Sequence, residues 1–100
     1  MKIMHLIFQT MYDIYIVYDD PSHKQLVDMI SFRRETFIHW FDMNTSEGRK
    51  KGFKLKGQFG AKKNPFVLVE KNDELIKVFW SEGKDDAINQ FIKWATESEG

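Results

Sequence analysis

The apolar positions of the chain fall into short blocks whose spacing changes from block to block. Ile14-Tyr15-Ile16-Val17-Tyr18 is β-branched and aromatic throughout, with no polar residue to mark a wet side. That pattern predicts a central parallel strand buried on both faces. Lys2 to Gln9 predicts an earlier strand, either added at a sheet edge or docked as an arm, and edge pairing through it would make a dimer. Thr36 to Asp42 predicts a further strand. Phe66 to Val69 is apolar, too short for a helix and rich in strand formers. It begins at Pro65, because a residue without an amide hydrogen suits the first position of a strand and not its middle. Lys71-Asn72-Asp73 is turn chemistry and Leu75 to Trp80 is a second apolar run, so the two runs read as a hairpin.

Two segments carry helical spacing. Asp19-Asp20-Pro21 is a helix start, since aspartate can cap the orphan amides and proline at the first helical position loses no bond. Leu26, Val27, Ile30 and Met29 then supply an apolar face through about Glu35. The last helix is predicted from about Lys84 to Thr96, on Ala87, Ile88, Phe91, Ile92, Trp94 and Ala95. Asn44-Thr45-Ser46-Glu47 resembles a capping box, with Asn44 as the cap and Glu47 three residues on. The segment after this box contains Gly48, Gly52 and Gly57, each costing about 1 kcal/mol relative to alanine in a helix. A loop or a broken helix is therefore expected between Asp42 and Phe59. A strand, a helix and a strand followed by a hairpin make a right-handed βαβ unit joined to a mixed sheet.

Gln58-Phe59-Gly60-Ala61-Lys62-Lys63-Asn64-Pro65-Phe66, with its strand, turn and second strand, resembles the second half of a thioredoxin-like domain. In that family an aromatic-glycine pair ends a helix, a cis-proline follows, and an antiparallel hairpin and a final helix complete the domain. The resemblance implies Phe59-Gly60 as the pair and Pro65 as the cis-proline. Read from residues alone, Pro65 is a trans-proline opening an ordinary strand, because only about 5–6% of such bonds are cis. The implied fold is α/β: a single thioredoxin-like domain over residues 1–100, with a mixed four- to five-stranded sheet flanked by helices.

Composition narrows the chemistry. One hundred residues with 42% hydrophobic and 15% aromatic content suffice for one core. The absence of cysteine excludes disulfides, thiolate catalysis and thiolate metal sites together, and leaves the redox compartment undetermined. No apolar stretch approaches the roughly 20 residues of a membrane span. No cleavage-site pattern comes after Met1 to Thr10. The expectation is a soluble, cytoplasmic protein without a membrane partner. Abundant Lys, Ile, Phe and Asn accord with an AT-rich genome, and the size fits a small viral or mobile-element protein.

Where thioredoxins and glutaredoxins carry a CxxC or CxxS pair followed by lysine, the matching stretch here is Asp20-Pro21-Ser22-His23, then Lys24-Gln25. Position and trailing lysine match; the chemistry does not. Neither Asp20 nor His23 can attack a disulfide and Ser22 is an unactivated hydroxyl unless a base reaches it, so a redox-inactive member is implied, not an enzyme, and no cofactor is expected. Asp20 and His23 lie close enough in sequence to form an acid–base pair, but an N-cap and an exposed first-turn histidine account for both. Ser22 and His23, adjacent on a helix, point about 100° apart and cannot form a nucleophile–base bond. His5, His23 and His39 show no metal-ligand spacing.

Arg49, Lys50, Lys51, Lys54, Lys56, Lys62 and Lys63 fall within fifteen residues that contain no acid, in a chain of zero net charge, so the remainder carries minus seven. Interleaved with Phe53 and Phe59, this basic surface is either a solvated face or a site for phosphate backbones or an acidic partner. Phe59 is expected in the core. The resemblance implies a second site: a peptide-binding groove of Asp20, Pro21, Ser22, His23, Asn64 and Pro65, binding partly by strand-like hydrogen bonds. Function is thus expected in protein binding, assembly or self-association, with nucleic-acid binding through segment 49–63 disfavoured by the balanced charge.

Overall fold

The computed structural model of the protein describes residues 11–32 and 35–99. Strands β1 (Met11–Tyr18), β2 (Glu35–Asp42), β3 (Phe66–Lys71) and β4 (Glu74–Phe79) form one mixed sheet in the order β2-β1-β3-β4. β1 runs parallel to β2 and antiparallel to β3, and β3 runs antiparallel to β4. Helices α1 (Pro21–Asp28), α2 (Ser46–Gln58) and α3 (Ala87–Trp94) complete the α/β domain, and a π-helical turn, Ala95–Glu99, extends α3. No described helix is long and apolar enough to cross a membrane. The strand expected at Lys2 to Gln9 lies outside the described residues, as does His5.

Strand alternation divides the interior into two cores. Tyr12, Ile14, Ile16 and Tyr18 of β1 face one side with Val67, Val69 and Phe79, where Val27 of α1 and Ala87, Ile88 and Phe91 of α3 cover them. Val17, Phe66 and Leu68 face the other side, under Met43, Leu55 and Phe59. β1 is central in the sheet and buried along the α1 and α3 face, but on the α2 face only Val17 is fully buried, with Asp13 and Tyr15 half-buried. The expectation of burial on both faces therefore holds only toward the end of the strand. Phe59 packs on Phe66 with ring centres 6.0 Å apart, in the core as expected.

Two helical expectations are corrected. α1 ends at Asp28, seven residues short of Glu35, and buries only Val27. Leu26 and Met29 stand exposed, so the apolar positions there do not form a single buried stripe. The chain leaves the helix so that Phe32 meets Phe91 of α3, ring centres 6.2 Å apart. The loop or broken helix expected between Asp42 and Phe59 is instead a continuous helix of 13 residues, capped by Thr45 and not by Asn44. Its glycines are contact residues. A Cβ on Gly48 would collide with the Asp42 carbonyl oxygen, and one on Gly52 would lie 2.5 Å from Met43 Sδ. Close approach to the Asp42 backbone therefore requires glycine at Gly48, while a side chain at Gly52 would displace the end of Met43, and these buried contacts outweigh the propensity cost.

The ends of these elements are held by local chemistry. Gly60, at φ +68°, lets α2 close with Ala61 N–H donating to Lys56 O at 2.9 Å and Gly60 N–H to Gly57 O at 3.4 Å. The β3–β4 turn uses Asn72 and Asp73 at positive φ, the geometry of a two-residue hairpin. Asp86, not Lys84, opens α3: its side chain accepts from Asn89 N–H, while a bridge between Glu82 and Asp85 holds the preceding turn.

Candidate functional site

At the end of the sheet where β1 and β2 finish, three loops are joined by side chains. Asn44, after β2, donates from Nδ2 to the Asp19 carbonyl at 2.7 Å. Asn64, before β3, donates from Nδ2 to Asp19 Oδ2 at 3.4 Å. Lys56 of α2 donates from Nζ to Asn64 Oδ1 at 2.7 Å. In open α/β sheets the carboxyl ends of the strands are where ligands bind.

The first helix opens at this junction. The Asp20 side chain accepts from Ser22 N–H at 3.0 Å, and that bond holds its carboxyl below the usual carboxylate range. Pro21 and Ser22 are exposed beside it. His23 Nε2 lies 3.4 Å from Asp86 Oδ2 at the start of α3, and among the described residues no side-chain hydrogen bond joins His23 to Asp20. Its Nδ1 is buried without a partner. Pro65 is buried, and its carbonyl accepts from Ser81 Oγ at 2.6 Å. The same Ser81 oxygen accepts from Ala87 N–H at 2.9 Å. Asn64 is half-buried, and among the described residues neither its backbone N–H nor its carbonyl has a backbone partner. The structure thus brings Asn64 and Pro65 beside the loop that carries Asp20, through Asp19.

The basic segment is divided. Arg49, Lys50, Lys51, Lys54, Lys62 and Lys63 are exposed, while Lys56 is 6% exposed and does not belong to the basic surface. Its burial stems from its place on the helix, four residues after Gly52 and eight after Gly48, on the face that meets the sheet. Burial pushes the Lys56 ammonium below the usual lysine range, and the Asp19 carboxylate partly offsets this. Glu47 pairs with Lys51 at 2.8 Å and not with a cap amide.

A second polar group lies on the α2 side of the sheet. Asp13, Glu70 and Asp73 bring carboxylate oxygens within 4.8 Å of one another. His39 Nε2 lies 2.9 Å from Asp13 Oδ1, and Tyr15 OH donates to Glu70 Oε1 at 3.2 Å, so two of the three acids already have protein partners. Burial, followed by the charge of Glu70, pushes the Tyr15 hydroxyl up to about 12. Sequence reasoning placed Lys56 on the basic surface and Asp19 only in a helix start, and did not single out Ser81. A signal for Lys56 was present in the spacing of Gly48, Gly52 and Lys56; Ser81 left none. Comparison with protein-family models, with curated proteins and with solved structures finds no match to the chain.

Proposed function

We propose that the protein is a redox-inactive, thioredoxin-like binding module, not an enzyme, whose groove of Asp20, Pro21, Ser22, His23, Asn64 and Pro65 takes an extended segment of a protein partner. The observation that carries this reading is Asn64, whose backbone amide and carbonyl have no backbone partner among the described residues while its side chain is held by Lys56 and Asp19. Unpaired backbone groups on a fixed loop form a template for strand-like pairing. The element order and the strand order support the family likeness. A chain without cysteine has no thiol to exchange, so binding is what the groove retains.

The test is capture of a partner from host lysate on the full-length protein, beside two variants. Ser22→Arg fills the groove from an exposed position. Replacing Arg49, Lys50, Lys62 and Lys63 with serine strips the outer basic surface. Loss of the captured protein with Ser22→Arg alone supports the groove. Loss with the serine variant alone, or recovery of nucleic acid, transfers the function to the basic surface.

A further inference from the structure

Helix α2 leaves a cleft of about 270 Å³ between itself and the sheet, lined by Tyr15, Phe41, Lys51, Lys54, Leu55 and Gln58. It shares no residue with the groove at Asn64. The floor is aromatic: the Tyr15 ring stacks on His39 at 4.6 Å and lies 6.4 Å from Phe41. The helix wall is cationic, because Lys51 and Lys54 stand three residues apart on one stripe. Lys51 is engaged by Glu47, and Lys54 has no acidic partner among the described residues. Beyond Tyr15 the floor becomes acidic, at Asp13, Glu70 and Asp73. An apolar floor is therefore bounded by positive charge on one side and negative charge on the other.

We propose that this cleft docks a linear peptide of matching polarity. A large apolar side chain lies over Tyr15 and Phe41, acidic residues on one flank reach Lys54 and Lys51, and a basic residue on the other reaches the Asp13–Glu70–Asp73 group. Charge complementarity of this kind sets orientation and excludes the reversed peptide. It also disfavours nucleic acid, whose uniform negative charge would meet three carboxylates at one end.

The test is selection from a phage-displayed random dodecapeptide library on the immobilised full-length protein. The recovered peptides are then titrated by fluorescence anisotropy, with labelled oligothymidine as the nucleic-acid probe. The expected peptides carry a large apolar residue between acidic and basic flanks. They lose about tenfold or more in affinity on Lys54→Glu, an exposed change whose fold is checked by circular dichroism, and keep it on Ser22→Arg. Exchanging their acidic residues for lysine restores binding to the Lys54→Glu protein. Three results would overturn the proposal: no recovered binder, binders indifferent to Lys54→Glu, or oligothymidine bound by wild type and released by Lys54→Glu.

Discussion

The ammonium of Lys56 is held 2.7 Å from the side-chain oxygen of Asn64, so a residue from a lysine-rich helix anchors the loop before β3 from inside the protein. Its depressed pKa makes stability depend on pH. Below the native value both folded and unfolded chains carry the proton, and the cost of burying the charge is felt in full. Between that value and the ordinary 10.5 the unfolded chain binds more protons, so stability rises with pH and levels off above it. Lys56→Met, similar in length and volume, flattens this rise. Urea unfolding of both proteins from neutral pH to about 10.5 checks it.

Tyr15 responds in the opposite sense. Its native hydroxyl titrates near 12 against an ordinary 10.0, so its contribution is fully present below pH 10 and is lost as pH climbs from 10 to about 12. Spectrophotometric titration of tyrosinate is expected to show a late component near 12, and Tyr15→Phe removes it.

The glycines of α2 separate by position. Gly48→Ala drives a methyl into the Asp42 carbonyl and is expected to cost about 3 kcal/mol or more, as overpacking against backbone does. Gly57 has nothing within 4 Å of an added Cβ, so Gly57→Ala should stabilise by about 0.5–1 kcal/mol. Denaturation midpoints of the two variants must move in opposite directions.

Asn72 ties the hairpin to the start of β1: its side-chain oxygen accepts from Met11 N–H at 2.9 Å, and its own N–H donates to Met11 O at 2.8 Å. Asn72→Ala loses the first bond and places alanine at φ +50°, for an expected loss of about 1–3 kcal/mol by thermal unfolding. Asn72→Gly keeps the turn conformation and should cost less.

Legibility in the sequence depended on how directly each residue's pattern reports its neighbours. β1 was readable because its central place in the sheet leaves no polar interruption between Ile14 and Tyr18. The hairpin was readable because Pro65 and Asn72-Asp73 restrict the backbone locally. α2 was not, since Gly48 and Gly52 are chosen for the distance to Asp42 and Met43, which no propensity encodes. Nor was the early end of α1, decided by Phe32 reaching Phe91 across the core. At the site, Asp20, Asn64 and Pro65 came from the resemblance. The joint that unites their loops rests on Asp19, whose partners Asn44 and Asn64 lie far along the chain, and on the burial of Lys56, which a lysine-rich helix does not advertise.

The hydroxyl of Ser81 is at once donor to the Pro65 carbonyl and acceptor for the first amide of α3. One oxygen atom thus fastens both the entry of a central strand and the start of the helix that covers it. The two cannot be released separately without leaving that oxygen half-bonded. Amide exchange at Ala87 is therefore a reporter for the loop before β3, read from the start of the helix that covers the sheet.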